Sequence, residues 1–181
     1  MPTGYTFSLM TPADARAIGA WRYAGEYAVY NHGSGDRESD GTSDADAEML
    51  DRRSPYYTVR DPAGELIGYF VFGTAAELGS ADEPHLLGAD GTLSIGLGLR
   101  PDLTGRGRGL AFVQAGLDFA LLTFAPSAFR LFVLSFNQRA TRVYERAGFL
   151  PAGSVYALDA GIEREFVEMR RAAGPVAASD G

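Results

Sequence analysis

Apolar and polar positions along the chain switch repeatedly between the two-residue spacing of strands and the wider spacing of helices. Tyr5–Met10 predicts a first strand, and Thr11 followed by proline predicts a helix that continues to about Tyr23. A second helical piece is predicted near Ala45–Arg53, after a polar loop at Gly33–Ser43. The next two apolar runs predict a hairpin, with strands at Tyr56–Arg60 and Leu66–Gly73.

The second half of the chain repeats this alternation. A strand at Leu93–Arg100 leads into a long helix, whose apolar residues recur every three or four positions from Gly109 until Pro126. The remaining elements are a buried strand at Leu131–Phe136, a helix after Asn137, and a final hairpin of Val155–Leu158 with Arg164–Arg171. This order predicts one domain of the α/β (α+β) class over residues 1–171, followed by a flexible tail at residues 172–181.

The junction between the strand at Leu93–Arg100 and the long helix is rich in glycine and arginine. After Pro101 the chain reads Thr104-Gly-Arg-Gly-Arg-Gly109. Glycines let backbone N–H groups approach an anion closely, and the N-terminus of the following helix adds partial positive charge. Arg106 and Arg108 add full charges at the same place. We call residues 104–110 the cradle, and we predict that it holds an anionic cofactor carrying a pyrophosphate.

Other glycine-rich phosphate sites do not fit these residues. A Walker loop ends in Gly-Lys-Ser/Thr, and the chain has no lysine. The dinucleotide fingerprint needs glycine at its first, third and sixth positions, and counting from Gly105 places Leu110 sixth. A plainer alternative stays open, in which the turn leads into a helix and binds nothing.

A second pattern follows the strand at Leu131–Phe136. The segment Asn137–Phe149 starts with a residue suited to capping a helix N-terminus, and Gly148 suits the left-handed residue that ends a helix. Arginines occupy much of one side of this helix. The residues that share the other face are Ala140, Val143, Tyr144 and Ala147.

Together these two segments resemble the GNAT superfamily of acyl-CoA-dependent N-acyltransferases. The cofactor motif of that family, Gln/Arg-x-x-Gly-x-Gly/Ala, corresponds to Thr104 through Gly109, with threonine in the first place. Its second motif, Asn-x-x-Ala-x-x-x-Tyr-x-x-x-Gly-Phe, corresponds without exception to Asn137–Phe149. The resemblance covers about residues 58–171. It implies a mixed, mostly antiparallel central sheet flanked by helices and splayed between the strands at 93–100 and 131–136.

The resemblance also implies a reaction, the transfer of an acetyl group from acetyl-CoA to a primary amine by direct attack in a ternary complex. Tyr144 matches the family position of the group that protonates the leaving thiolate, and a backbone N–H near Leu97 could stabilise the oxyanion. Gly96 and Gly98 imply a bulge, beside which pantetheine binds the strand like an additional strand. The implied cofactor-binding residues are Leu97, Gly98, Leu99, Thr104, Gly105, Arg106, Gly107, Arg108, Gly109, Leu110, Asn137 and Ala140. Structural alternatives stay open: the glycine pair can relieve packing, and Tyr144 can simply pack on its helix.

Composition narrows the function further. The absence of cysteine excludes thiol nucleophiles and zinc–thiolate sites. The two histidines, His32 and His85, cannot form a His-x-x-x-His site, so no metal is expected. A net charge of −7 argues against nucleic acid as a partner. Residues 101–150 hold six arginines and three acidic residues, whereas residues 32–51 hold seven acidic residues and one arginine. The basic half suits CoA and the acidic half suits a cationic amine, unless the acidic stretch is only a solvated loop.

The acceptor side of the site rests on an aromatic cluster near the N-terminus. Tyr27, Tyr30 and His32 are assigned to substrate binding, and Trp21 and Tyr23 extend the same cluster. The cluster fits a substrate wall or ordinary helix core equally well. Candidates for the general base are Glu26, His32 and Asp90, with a water chain as an equal alternative.

Two functions of different kinds therefore stay open: an N-acetyltransferase acting on a small-molecule or peptide amine, and an acyl-CoA-binding regulatory domain without turnover. No apolar segment reaches membrane-spanning length uninterrupted, and the N-terminus lacks the pattern of a signal peptide. These patterns predict a cytoplasmic protein with no membrane partner. The sequence leaves a homodimer open.

Overall fold

A computed structural model of the chain describes residues 4–32, 44–79, 83–159 and 161–174. Within these residues seven strands form one sheet, in the order β1-β2-β3-β4-β5-β7-β6. The strands are β1 (Thr6–Leu9), β2 (Tyr56–Arg60), β3 (Leu66–Phe72), β4 (Thr92–Leu99), β5 (Ala128–Leu134), β6 (Leu150–Asp159) and β7 (Ile162–Ala172). The loop predicted at Gly33–Ser43 and the last seven residues of the predicted tail lie outside the described residues.

Helices lie along both faces of the sheet. They are α1 (Pro12–Gly19), α2 (Asp44–Met49), α3 (Gly109–Phe124) and α4 (Gln138–Arg146), with short 3₁₀ helices at Gly25–Tyr30, Thr74–Ala76 and Pro101–Leu103. The predicted caps are present: the Thr11 side chain accepts from Asp14 N–H, and the Asn137 side chain accepts from Ala140 N–H at 3.1 Å. Helix α3 ends before Ala125, which adopts φ 47°.

Helix α1 is shorter than predicted. It ends at Gly19 and does not continue to Tyr23. The N–H of Tyr23 donates to the side-chain oxygen of Asn31 at 2.6 Å, a bond that takes the place of a helical one. The chain then forms the 3₁₀ helix Gly25–Tyr30, which the apolar spacing does not predict.

The sheet is mixed and mostly antiparallel, as the resemblance implies. Among the described residues β4 and β5 are the one parallel pair, and they pair only from Thr92↔Ala128 to Ser94↔Arg130. Beyond Ser94 the two strands separate, although both continue. We call the space between them the gap. The sheet is therefore splayed where the sequence predicts.

The bulge predicted at Gly96 and Gly98 is not found in the pairing of β4 with β3. That register is unbroken from Gly68↔Leu99 to Phe72↔Ile95. The two glycines have another cause, because a Cβ on Gly96 would lie 2.8 Å from Val71 Cγ1 and one on Gly98 would meet the ring of Tyr69. The prediction of a bulge is wrong here, and close packing against β3 explains the glycines.

Apolar side chains cover both faces of the sheet. One face carries α3 and α4, and its fully buried side chains include Phe70, Phe112 and Phe149. The other face carries α1 and α2 through Ile18 and Met49. Burying each such side chain contributes about 1.5–3 kcal/mol, so these two layers hold the edges of the gap in place.

The final hairpin is longer than predicted and reaches the end of the described chain. Strand β7 continues through Ala172, and Ala173 is buried, with its N–H donating to the Ser127 carbonyl at 3.1 Å. Strand β7 thus runs to Ala172, and the next residue is still packed against the core.

Candidate active site

The backbone of β4 faces the gap. Arg100 N–H donates to the Ile67 carbonyl at 2.8 Å, and Gly73 N–H donates to the Ser94 carbonyl at 2.9 Å. Backbone polar groups alternate in direction along an antiparallel pair, so residues 94, 96, 98 and 100 point toward β3. Residues 95, 97 and 99 consequently point toward β5. Because pairing with β5 ends at Ser94↔Arg130, residues 97 and 99 point into the gap.

One of these gap-facing groups already has a partner. The Leu99 carbonyl accepts a hydrogen bond from the Tyr23 hydroxyl at 2.7 Å. The N–H and carbonyl of Leu97 and the N–H of Leu99 have no partner among the residues that the structure describes. Gly98, by contrast, turns its backbone toward Tyr69 on β3. The exposed edge of β4 is therefore formed by Leu97 and Leu99.

The cradle lies between the end of β4 and the start of α3. Gly105 and Gly107 adopt φ of 70° and 75°, a left-handed conformation that favours glycine. Helix α3 has no side-chain cap, and its first intrahelical bond among these residues runs from Phe112 N–H to the Arg108 carbonyl at 3.1 Å. The N–H groups at the start of α3 are thus available to an anion, and the side chains of Arg106 and Arg108 are exposed beside them.

Three further cradle residues have local structural contacts. The Thr104 hydroxyl donates to the Pro101 carbonyl at 2.7 Å, so its side chain holds the preceding 3₁₀ turn. Gly109 packs under α4, since a Cβ there would lie 3.1 Å from Val143 Cγ2. Leu110 is half-buried against the core. The helices α3 and α4 therefore approach closely at the cradle.

Arg139 lies beside the cradle, although the sequence places it among the solvent-facing arginines of α4. Its Nη1 atom is 3.5 Å from the position of a Cβ on Gly105. Its guanidinium lies 4.3 Å from the centre of the Tyr27 ring, a cation–π contact. Arg139 lies two residues after the helix cap Asn137, in the first turn of α4. That position is the sequence signal that could have indicated its place beside the cradle.

Asn137 connects α4 to the aromatic segment of residues 21–30, which we call the strap. While its oxygen caps α4, its Nδ2 donates to the Tyr30 hydroxyl at 2.9 Å, and the side chain is buried. Burial raises the pKa of Tyr30, and the hydrogen bond from Asn137 partly offsets the rise. Ala140 lies half-buried one turn into α4, on its core-facing side.

Tyr144 projects from the same face of α4. It is half-buried, and its ring packs against Phe149 with the ring centres 6.2 Å apart. Its hydroxyl donates to no residue that the structure describes. Burial raises the pKa of Tyr144, and the nearby Tyr30 and Tyr69 raise it further. The phenol is therefore protonated at neutral pH and has a proton to donate.

The residues assigned to the acceptor pack against different neighbours. Tyr27 packs on Phe136 with ring centres 5.8 Å apart, and Tyr30 is held by Asn137. The His32 ring contacts Tyr69, with ring centres 6.1 Å apart. Burial lowers the pKa of His32, against the opposing charge of Glu48, so the imidazole is neutral near pH 7.

The other candidate bases lie elsewhere. Glu26 is exposed on the strap. Asp90 is exposed at the opposite end of β4 from the gap, where it accepts a hydrogen bond from Thr92 N–H at 3.0 Å. Of the three candidate bases, His32 is the one whose ring contacts Tyr69, the β3 residue that pairs with Gly98.

Two negative findings apply to the described ranges only. Within residues 4–32, 44–79, 83–159 and 161–174, no group of three or more His, Cys, Asp or Glu side chains could hold a metal ion. The helices in the same ranges include none that is long and apolar enough to cross a membrane.

The sheet is splayed beside β4, and β4 leads through a glycine-rich turn into a helix without a side-chain cap. This combination defines the class: an acyltransferase fold of the acyl-CoA-dependent kind. The chain belongs to the acetyltransferase (GNAT) domain family, whose model matches residues 5–150. Enzymes of this family use acetyl-CoA as co-substrate.

A curated relative supports the same class. A mycothiol acetyltransferase of Propionibacterium freudenreichii subsp. shermanii is 35% identical over 103 residues, which are 56% of this chain and 28% of that enzyme. The chain thus spans just over a quarter of the length of that relative.

Solved structures share the fold at low identity. A dodecameric spermidine N-acetyltransferase from Vibrio cholerae has a TM-score of 0.65 at 15% identity, covering 94% of each chain. A spermidine/spermine N-acetyltransferase from the same organism, solved with manganese ions, has a TM-score of 0.65 at 15% identity, covering 95% of this chain and 94% of that one. These likenesses show the fold alone.

Proposed function

We propose that this protein transfers the acetyl group of acetyl-CoA to a primary amine by direct attack in a ternary complex. One observation carries the proposal: the N–H and carbonyl of Leu97 and the N–H of Leu99, which have no partner among the described residues, face a gap that has the cradle and Tyr144 at its borders. Such an edge can bind an extended amide chain as a sheet binds a further strand.

The cofactor-binding residues act in three groups under this proposal. The Leu97 carbonyl and the Leu99 N–H bind the pantetheine arm, and Gly98 shapes the edge between them. The N–H groups of residues 105–110 bind the pyrophosphate, with Arg106 and Arg108 adding charge and Thr104 holding the turn. Asn137 and Ala140 form the wall of the gap on the side of α4. Arg139 adds a third positive charge next to Gly105.

The chemistry requires two proton movements. The substrate ammonium first gives one proton to solvent or to a base, for which His32 is the best-placed candidate. The neutral amine then attacks the thioester carbonyl, the C–N bond forms, and the Leu97 N–H stabilises the oxyanion. The C–S bond breaks as the thiolate leaves. Tyr144 donates its proton to the sulfur and regains one from the amide nitrogen through solvent, so the products are an N-acetylamine and CoA.

The acceptor binds between the strap and β4 in this proposal, with Tyr27, Tyr30 and His32 on its wall. Two hydroxyl groups of the strap already have hydrogen-bond partners: the Tyr23 hydroxyl donates to the Leu99 carbonyl, and the Tyr30 hydroxyl accepts from Asn137. These two side chains therefore form the wall of the acceptor site, and other groups recognise the amine. Spermidine is a sensible first probe, because the names of structurally similar enzymes include it. A cytoplasmic location and a homodimer stay predictions.

Tyr144→Phe tests the role of the hydroxyl. The change keeps the ring against Phe149, so CoA affinity and stability should be preserved. We expect kcat to fall by about a hundredfold, the usual scale for losing a positioned general acid, with KM for acetyl-CoA nearly constant. Tyr156→Phe on β6 is the matched control, because Tyr156 is 65% exposed. An unchanged kcat, measured where chemistry limits the rate, removes Tyr144 from the mechanism.

Turnover distinguishes the proposed enzyme from the alternative, an acyl-CoA-binding regulatory domain. Thiol release from acetyl-CoA should be measured across a panel of primary amines that includes spermidine, alongside calorimetry with CoA. Turnover of any amine supports the enzyme. Tight CoA binding without turnover across the whole panel supports a binding module instead.

A further inference from the structure

Tyr69 of β3 lies opposite β4 at the level of the gap, and no sequence pattern indicates this position. It pairs with Gly98 in the β3–β4 register. A Cβ on Gly98 would meet the Tyr69 ring, and the Tyr69 hydroxyl lies 3.0 Å from that position. The ring therefore occupies the space that a side chain at residue 98 would fill. Because Gly98 leaves this space empty, the hydroxyl of a β3 residue reaches the strand that borders the gap.

The Tyr69 ring is packed, but its hydroxyl is not engaged. Trp21, His32 and Tyr56 all contact the ring, with ring centres 6.0–6.4 Å away. The hydroxyl donates to no residue that the structure describes. It is close enough to Tyr144 and Tyr23 to affect their pKa values. Tyr69 packs with the cluster under α1 and α2, and Tyr144 packs with the cluster under α3 and α4, so these two hydroxyls belong to opposite faces of the sheet.

The surroundings of Tyr69 favour a positively charged or neutral amine. Glu48 accepts a hydrogen bond from the Tyr56 hydroxyl at 3.0 Å, and its charge acts on both Tyr69 and His32. Burial, followed by Glu48, raises the pKa of Tyr69 to about 12. The phenol therefore stays neutral through the physiological range. Its oxygen keeps lone pairs that can accept a hydrogen bond from an N–H group.

We propose that Tyr69 positions the acceptor: its hydroxyl oxygen accepts a hydrogen bond from the attacking nitrogen and holds that nitrogen against the thioester carbonyl. This inference rests on the proposed acetyl transfer. The C–N bond forms and the C–S bond breaks as described above, and Tyr69 gains and loses no proton. Gly98 leaves room for the Tyr69 ring, because a side chain at residue 98 would collide with it. This role differs from the cofactor contact predicted from the sequence.

Tyr69→Phe is the primary test, since it removes the hydroxyl and keeps every ring contact. With the best amine from the panel, we expect kcat/KM for the amine to fall by about tenfold, the scale of one lost hydrogen bond to a substrate. KM for acetyl-CoA and the calorimetric Kd for CoA should not change. Tyr57→Phe is the matched control, because Tyr57 lies on β2 among Phe72, Phe119 and Phe124. It should leave all of these constants unchanged.

Gly98→Ala tests the route by which the hydroxyl reaches the gap. The new methyl displaces the ring, so the amine kcat/KM should fall at least as far as in Tyr69→Phe. In a Tyr69→Phe background the hydroxyl is already absent, so displacing the ring has no further effect on the amine. The double variant Gly98→Ala/Tyr69→Phe should therefore have the same amine kcat/KM as Gly98→Ala alone. Its CoA affinity shows whether it is folded.

The outcomes separate this inference from the proposed function. Turnover in the wild-type protein with an unchanged amine kcat/KM in Tyr69→Phe overturns the role of Tyr69 and leaves acetyl transfer intact. A loss confined to KM for acetyl-CoA also overturns it, because it would place Tyr69 on the cofactor. Absence of turnover with every amine, despite CoA binding, overturns both proposals.

Discussion

Gly107→Ala tests the cradle with the fewest side effects. Gly107 adopts φ 75°, and a Cβ there would meet nothing within 4 Å. The methyl group therefore costs the fold only the strain of a left-handed alanine, about 1–2 kcal/mol. In a chain of this length that strain lowers Tm by about 2–4 °C for each kcal/mol. The open space is where we place the pyrophosphate, so the same methyl group should obstruct the ligand.

The expected loss of CoA affinity is larger than the loss of stability. Displacing the phosphate from one or two backbone N–H groups removes charge-assisted hydrogen bonds worth about 1.5–3 kcal/mol, which weakens CoA about ten- to a hundredfold. Gly64→Ala is the matched control: Gly64 adopts φ 84°, and a Cβ there also meets nothing within 4 Å, but it lies in the turn between β2 and β3. Calorimetry with CoA and a thermal melt of both variants complete the test.

Two results would contradict the reasoning. Equal CoA affinities in Gly107→Ala and Gly64→Ala would mean that no anion approaches residue 107. A much larger fall in Tm for Gly107→Ala than for Gly64→Ala would mean that the glycine serves the fold, which favours a turn that binds nothing.

Three further predictions concern the same site. Arg106→Ala and Arg108→Ala should each weaken CoA by about three- to tenfold, and a smaller loss with dephospho-CoA would place that arginine on the 3′-phosphate. Because its pKa is raised, Tyr144 should keep its proton up to about pH 10, so a fall in kcat between about pH 8 and 10 would contradict its role as a donor. Asn137→Ala removes a buried helix cap and should cost about 1 kcal/mol of stability in urea unfolding; no loss would show that the cap is dispensable.

The parts of the fold that depend on local chemistry were predictable. The cap at Asn137, the end of α3 before Pro126 and the hairpin of β2 and β3 follow from residues adjacent in the chain. The splayed sheet came through the resemblance and not through local patterns. The GNAT motifs occupy short contiguous segments, so the cradle and Tyr144 could be assigned from them, although their roles stay predictions.

The residues that were missed depend on contacts between distant segments. Tyr69 reaches the gap because Gly98 lies opposite it on another strand, and no pattern within β3 indicates this. Arg139 looks like one of several surface arginines until Tyr27 and Gly105 are brought beside it. The bulge was wrong for the same reason, because the side chain that explains each glycine belongs to the neighbouring strand.

The strap is hydrogen-bonded to both borders of the gap. Tyr23 bonds to Leu99 at the end of β4, and Tyr30 bonds to Asn137 just after β5, with only six residues between the two tyrosines. Any ligand that pushes the strands apart must lengthen one of these two hydrogen bonds or bend the 3₁₀ helix between them. We therefore expect acetyl-CoA, if it binds in the gap as proposed, to shift the strap, and we expect an ordered mechanism in which acetyl-CoA binds before the amine.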